Sequence, residues 1–133
     1  MTPVLLDTVG LIGLWNIDDQ WHSAAEIAFQ ILKTDRRRLV TTEFVLAECG
    51  NGATRLAIRS IVAEFRQRFI EQRLLIEVTA EDLQSAWSAF GGKRKFDPSL
   101  VDEISIAVMG RLGIGEVFSN DVHFKRAGFT VLF

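Results

Sequence analysis

Short apolar runs alternate along the chain with longer amphipathic stretches, and this alternation predicts strands that alternate with helices. The predicted strands are 3–6, 39–41, 75–78, 116–119 and 129–133, and the predicted helices are 8–16, 20–33, 43–50, 54–73, 80–90 and 100–112. Because the strands are almost continuously apolar, the pattern favours an α/β fold in which helices cover both faces of a mostly parallel sheet.

Polar residues and glycines mark the ends of several predicted helices. Asp18 and Asp19 precede the second helix, and Ser99 precedes the helix over 100–112. Gly91-Gly92 and Gly113 end the last two helices. Since no repeat, low-complexity segment or linker interrupts this order, we expect a single domain over residues 1–133.

The composition is compatible with a single domain and gives evidence on where in the cell the protein is found. With 133 residues, 48% of them apolar, the chain can bury one sizeable core. Its single cysteine, Cys49, lies in an apolar run and cannot form an internal disulfide, so we expect a buried, inert thiol. No apolar stretch approaches the roughly 20 residues that span a bilayer, and no basic and apolar leader opens the chain. We therefore expect a cytoplasmic protein that does not enter a membrane.

The net charge of the chain gives only weak evidence about whether it binds nucleic acid. The formal net charge is −2, whereas proteins that bind nucleic acid usually carry a basic surface. If four of the 17 acids are metal ligands, however, the rest of the chain has a slight positive excess. Arg36-Arg37-Arg38 and Lys93-Arg94-Lys95 are basic clusters that either meet phosphates or form a solvated surface, and neither is assigned a site role.

Acidic residues fall where an α/β sheet places its functional site. Asp7 follows the first predicted strand and Asp121 follows the fourth, while Glu48 and Asp102 lie in helices that begin at the same edge. In open sheets of this class, sites form beyond the carboxyl ends of the strands, so the four carboxylates can converge.

Converging carboxylates repel one another unless a cation lies between them. Oxygen ligands suit Mg²⁺ or Mn²⁺, and the chain has no Cys and His spacing typical of zinc sites. A metal held in this way activates water and stabilises charge on a phosphodiester, which is nuclease chemistry.

Each acid also has a simpler structural interpretation. Asp102 stands three residues after Ser99, the spacing of a helix capping box. Asp7 and Asp121 could each cap the helix that follows. Glu48 is harder to explain in this way, because an acid within an apolar helix is costly unless something pairs with it.

At these residues the chain resembles the PIN-domain family, specifically the VapC-type toxin ribonucleases of bacterial and archaeal toxin–antitoxin pairs. The matching segments appear in the family's order, and the last is the most distinctive. They are Leu5-Leu6-Asp7-Thr8, Thr41-Thr42-Glu43-Phe44-Val45-Leu46-Ala47-Glu48, Ser99-Leu100-Val101-Asp102 with Ser105 and Met109, and Ser119-Asn120-Asp121-Val122-His123-Phe124 running into Ala127-Gly128-Phe129.

This resemblance implies a three-layer α/β/α sandwich whose acidic residues Asp7, Glu48, Asp102 and Asp121 bind Mg²⁺ or Mn²⁺ and carry catalysis. Thr8 and Ser119 would supply hydroxyls that orient carboxylates and water. It further implies a ribonuclease that cleaves tRNA, ribosomal RNA or messenger RNA. A small antitoxin would cover the acidic pocket, and the protein would form a homodimer.

Several alternatives stay open at this point. Glu43 or Glu103 could replace a ligand, although both are better explained as favourable charges in first helical turns. His123 could touch a phosphate, but a packing or hydrogen-bonding role is favoured. The chain could be a catalytically silent binding module. An acidic receiver-type phospho-acceptor domain fits less well, because Asp7 is followed by Thr8 and Val9 rather than by another acid.

Overall fold

The computed structural model describes residues 2–92 and 97–133, without the side chains of residues 54–56. Within these residues the strands are β1 (Val4–Leu6), β2 (Leu39–Thr42), β3 (Leu75–Ile76), β4 (Glu116–Phe118) and β5 (Thr130–Val131). The helices are α1 (Thr8–Trp15), α2 (His22–Thr34), α3 (Glu43–Leu56), α4 (Arg59–Glu71), α5 (Ala80–Gly91), α6 (Leu100–Leu112) and α7 (Val122–Arg126).

The described strands form one parallel sheet in the order β3-β2-β1-β4-β5. β1 is central, and its residue Leu5 pairs with Val40 on one side and with Val117 on the other. Right-handed crossovers place α1 to α4 on one face of the sheet and α5 to α7 on the opposite face. This arrangement confirms the predicted α/β fold with helices on both faces.

The two faces of the sheet have separate apolar cores. Successive side chains of a strand point to opposite faces, and β1 follows this rule. Val4 and Leu6 join a cluster with residues of α1 to α4, whereas Leu5 joins a second cluster with Met109 of α6 and Phe124 of α7. All three residues of β1 are fully buried, so the centre of the sheet is apolar up to the point where Asp7 begins.

The predicted start of the helix over 54–73 was wrong. α3 continues to Leu56, beyond its predicted end at residue 50, because its apolar face extends through Cys49 to the buried Ala53. Ala57 then adopts a left-handed conformation (φ 54°) that ends α3, and α4 begins at Arg59. Alanine rarely adopts this conformation, so composition alone does not indicate the break.

The second predicted helix starts slightly later than expected. Its first residue is His22, and its N-cap, Trp21, makes no side-chain capping hydrogen bond. Asp19 acts in the preceding turn instead, where its Oδ1 accepts a hydrogen bond from the Trp21 amide at 2.8 Å.

A close approach joins α1 to β4. A Cβ atom placed on Gly10 would lie 2.1 Å from the Phe118 carbonyl oxygen, so only glycine fits there without a shift. None of the helices within residues 2–92 and 97–133 combines the length and apolar character needed to cross a bilayer.

Candidate active site

Two of the acidic residues lie at the carboxyl edge of adjacent central strands. Asp7 follows β1 and caps α1, with its carboxylate accepting a hydrogen bond from the Val9 amide at 3.3 Å. Asp121 lies just beyond β4 and caps α7, with its Oδ1 accepting from the His123 amide at 2.9 Å. Both are therefore helix caps, as the simpler interpretation held, and capping also fixes their positions at this edge.

One hydroxyl group connects these two acids. Ser119 donates its Oγ hydrogen to Asp7 Oδ2 at 2.9 Å, and the same oxygen accepts a hydrogen bond from the Asp121 amide at 3.1 Å. Ser119 is fully buried, so the link is protected from water. This serine has the orienting contact that the family resemblance implies for it.

Glu48 reaches the same edge from α3. The Thr8 hydroxyl, at the start of α1, donates to Glu48 Oε1 at 2.5 Å. This bond joins the first turn of α1 to α3 and gives the half-buried glutamate the partner that an acid in an apolar helix needs.

Asp102 lies in the first turn of α6 and forms a reciprocal capping box with Ser99. The Ser99 amide donates to Asp102 Oδ2 at 3.2 Å, and the Asp102 amide donates to Ser99 Oγ at 3.1 Å. The structural explanation of this residue is therefore correct, and the same capping contact holds its buried carboxylate at the edge where the other acids lie.

Electrostatic coupling shows that the four acids form one cluster around Asp102. Burial raises the pKa of Asp7 to about 7, and the neighbouring charge of Asp102 contributes, although hydrogen bonds from Ser119 and the backbone oppose the shift. Burial likewise raises the pKa of Asp102, with further contributions from the charges of Asp121 and Glu48. Of the four residues that the sequence singled out, Asp102 and Asp121 belong to one compact group of potential ligands. Asp7 is connected to Asp121 through Ser119, and the charge of Glu48 acts on Asp102, but neither Asp7 nor Glu48 belongs to that group.

The cluster has the features of a divalent cation site. Asp7 is only 1% exposed, and its Oδ1 has no hydrogen-bond partner among the described residues. A buried carboxylate oxygen without a donor is costly, and a cation would satisfy it. The available donors are mainly carboxylate oxygens, which suit Mg²⁺ or Mn²⁺. The residues present therefore fit such an ion.

His123 lies at this site and contacts Asp121, which agrees with the hydrogen-bonding part of the role favoured from sequence. Its Nδ1 lies 2.9 Å from Asp121 Oδ1 and 3.9 Å from Asp102 Oδ2. Within the part of the chain that the structure describes, Asp102, Asp121 and His123 form the one group of potential ligands whose atoms all lie within 4.8 Å of one another. The sequence signal was its position two residues after a capping aspartate, which brings a side chain back towards the cap.

The two substitute acids have other environments. Glu43 accepts hydrogen bonds from Arg66 Nε at 2.9 Å through both of its carboxylate oxygens, at an exposed position. Glu103 is only 5% exposed, and its Oε2 has no hydrogen-bond partner among the described residues. Like Asp7 and Glu48, neither belongs to the compact group of potential ligands, but the environments of Glu43 and Glu103 show no link to Asp102 or Asp121 among the hydrogen bonds of the described residues. Glu103 is in the first turn of α6, as expected.

Cys49 is fully buried, as expected, beside the acidic cluster. Burial raises the pKa of its thiol to about 12, and the charges of Asp7 and Glu48 add to this effect. The thiolate form is therefore strongly disfavoured at neutral pH, which agrees with an inert thiol.

The basic cluster Arg36-Arg37-Arg38 lies at the amino edge of the sheet, opposite the carboxyl edge that holds the acidic residues. The Arg38 carbonyl accepts a hydrogen bond from the Val4 amide at the amino end of β1, and Arg37 pairs with Glu116 at the start of β4 at 2.6 Å. These side chains therefore do not border the acidic pocket. Lys93-Arg94-Lys95 falls outside the described residues.

Comparison with known proteins identifies the family. The model of the PIN domain matches residues 4–130, so the chain belongs to the PIN-domain family. Among solved structures, the crystal structure of Mycobacterium tuberculosis VapC20, a toxin that cleaves the sarcin-ricin loop, is similar to this chain. The match has a TM-score of 0.80 and 25% sequence identity, and it covers 96% of each chain. No curated protein sequence matches significantly. The family resemblance and the α/β/α fold are both confirmed.

Proposed function

We propose that this protein is a divalent-metal-dependent endoribonuclease that acts as the toxin of a toxin–antitoxin pair. The observation that carries the proposal is the carboxylate cluster at the carboxyl edge of a PIN-type sheet, in which buried Asp7 has an oxygen that finds no partner in the described part of the chain. The similarity to VapC20, which cleaves an RNA loop, supports RNA as the substrate. A single domain over residues 1–133 would carry the activity.

Asp7, Asp102 and Asp121 would hold Mg²⁺ or Mn²⁺, and Glu48 would bind the ion directly or through water. When bound, such an ion activates a water molecule and neutralises charge that develops on the phosphodiester. Ser119 fixes Asp7 relative to Asp121, and Thr8 fixes Glu48, so the carboxylates are oriented before the substrate arrives. We expect hydrolysis that leaves a 5′-phosphate and a 3′-hydroxyl.

The test is RNA cleavage by the wild type and by Asp7→Asn, Asp102→Asn and Asp121→Asn, each in Mg²⁺ or Mn²⁺ and again in excess EDTA. A fragment of ribosomal RNA is the first substrate to try, because VapC20 cleaves the sarcin-ricin loop. We expect each variant to lose at least about a hundredfold in rate, and EDTA to abolish cleavage by the wild type. Asp35→Asn, at an exposed position at the end of α2, is the matched control.

Wild-type cleavage by Asp7→Asn would remove this residue from the active site. A wild-type protein that binds no divalent ion and cleaves no RNA would instead favour the catalytically silent binding module. Chemical analysis of the RNA ends would check the predicted product chemistry.

We also propose that the protein acts in the cytoplasm as a homodimer and is inhibited by a small antitoxin. Exposed apolar side chains, among them Ile27 and Ile31 on α2, provide surface that a partner could cover. Between α3 and α4 lies an open groove of about 590 Å³, with Leu46 and Val62 in its lining. Co-expression with the product of a small neighbouring gene, followed by size-exclusion chromatography with light scattering, would measure both assemblies.

A further inference from the structure

We propose that His123 is a nitrogen ligand of the metal site, and that the site therefore prefers a transition ion such as Mn²⁺ over Mg²⁺. This inference rests on the metal binding in the proposed function and specifies the ligand set beyond the four acids. It assigns a direct metal contact to a residue for which sequence reasoning favoured a packing or hydrogen-bonding role.

The separations between the potential ligand atoms are those of a shared ion. Ligands about 2.1 Å from an octahedral ion lie about 3 Å apart when they are adjacent and about 4.2 Å apart when they are opposite. His123 Nδ1 lies 2.9 Å from Asp121 Oδ1 and 3.9 Å from Asp102 Oδ2. Only small side-chain adjustments would be needed for all three atoms to contact one ion.

Local structure holds the His123 ring in this place. The residue is in the first turn of α7, and its backbone amide donates to Asp121 Oδ1 at 2.9 Å. The next residue, Phe124, is fully buried in the core and anchors the helix to the sheet. The His123 side chain is 24% exposed, so it borders both the acidic cluster and solvent.

A second observation indicates that the cluster needs a cation. Asp7 Oδ1 is buried without a hydrogen-bond partner among the described residues, and Asp7 is close enough to Asp102 for the charge of Asp102 to affect it. The His123 ring contacts Asp121 and approaches Asp102. Asp7 Oδ1 still lacks a hydrogen-bond partner within the described part of the chain, so a cation would satisfy it.

The chemistry of imidazole determines which ion the site binds more tightly. Mg²⁺ is a hard ion that binds oxygen and retains several waters, whereas first-row transition ions accept imidazole nitrogen readily. One nitrogen among carboxylate oxygens therefore favours Mn²⁺ relative to Mg²⁺. If the ring only oriented Asp121 through a hydrogen bond, both ions would lose affinity equally when it was removed.

The experiment uses the tag-free protein loaded with Mn²⁺ and pulsed electron paramagnetic resonance to detect directly bound ¹⁴N. The chain contains only two histidines, His22 and His123, so the origin of an imidazole signal can be assigned. His22 is on α2, where its ring contacts the Gly13 carbonyl and Glu26, and His22→Gln is the matched control. His123→Asn places an amide near the position of Nδ1, and calorimetry gives the Mn²⁺ and Mg²⁺ dissociation constants of each protein.

We expect the wild type and His22→Gln to show the nitrogen coupling, and His123→Asn to lack it. In His123→Asn the dissociation constant for Mn²⁺ should rise about tenfold, while that for Mg²⁺ changes much less. Thermal unfolding would check that the variant is folded. If it is not folded, a coupling that persists in His22→Gln still assigns the ligand to His123.

Two results would overturn the inference, and they are distinguishable. Mn²⁺ bound without nitrogen coupling, or an equal loss for both ions in His123→Asn, would leave the proposed nuclease intact and limit His123 to positioning Asp121. A wild-type protein that binds neither ion would overturn the inference together with the proposed metal site.

Discussion

Replacing Asp7 with asparagine should make the metal-free protein more stable while removing its activity. Asp7 is almost fully buried, and its pKa is raised from 3.8 to about 7. Because the folded state binds the proton more tightly than the unfolded state does, ionised Asp7 opposes folding. Asparagine has nearly the same shape and can still accept a hydrogen bond from Ser119, but it never ionises.

The magnitude follows from the displacement of the pKa. At about 1.36 kcal/mol for each pH unit, the shift from 3.8 to about 7 corresponds to a penalty of up to about 4 kcal/mol. The penalty grows as the pH rises from about 4 to about 7 and is constant above that range. The hydrogen bonds from Ser119 and the backbone are already included in this pKa, so the expected gain for Asp7→Asn at pH 8 is up to about 4 kcal/mol.

The assay is urea unfolding of the wild type and of Asp7→Asn in EDTA, at pH 8 and at pH 5. At pH 8 the variant should have the larger free energy of unfolding, and at pH 5 its advantage should shrink to about 1 to 2 kcal/mol, because Asp7 is then mostly protonated in the folded wild type. Asp35→Asn, at an exposed site, should show no comparable pH-dependent difference. Equal stability of the wild type and Asp7→Asn at both pH values would refute the reasoning.

Two other contacts lead to further predictions. Gly10→Ala should lower the free energy of unfolding by at least about 1 to 3 kcal/mol, because its Cβ would lie 2.1 Å from the Phe118 carbonyl oxygen. Gly110→Ala lies in the exposed part of α6, with no atom within 4 Å of the new Cβ, and should instead raise the free energy of unfolding by about 0.5 to 1 kcal/mol. Urea titrations in which the two substitutions changed the free energy of unfolding in the same direction would contradict this contrast. Asp82→Ala should cost about 2 kcal/mol, since it removes the capping box of α5 and the paired hydrogen bonds from Arg111 that join α5 to α6. Thermal unfolding that showed no loss would mean that the capping box and the pair between buried Asp82 and exposed Arg111 contribute nothing net.

Functional sites of parallel sheets form beyond the carboxyl ends of the strands, and this regularity explains why the acidic residues could be located from sequence. Asp7 and Asp121 follow strands that are recognisable as apolar runs, and Ser99 marks the helix start that places Asp102. These signals are local, and each needs only a few neighbouring residues to be interpreted. The positions of four side chains at one edge then follow from the α/β architecture.

Features that depend on three-dimensional packing could not be predicted from local sequence signals. Ala57 adopts its left-handed conformation because α3 and α4 must turn there, and nothing in an alanine indicates this. The approach of His123 to Asp102 joins residues far apart in sequence and depends on how α7 sits against α6. The burial of Glu103 likewise depends on neighbouring elements, and its position near a helix start does not indicate it.

The position of Asp121 late in the chain has a consequence during translation. β1 occupies the centre of the sheet between β2 and β4, so the middle of the fold cannot close until β4 has been synthesised. A growing polypeptide carries Asp7, Glu48 and Asp102 well before it carries Asp121. Until Asp121 has been synthesised, the metal site that we propose is therefore incomplete. The nuclease activity that we propose would arise only after this residue has left the exit tunnel of the ribosome.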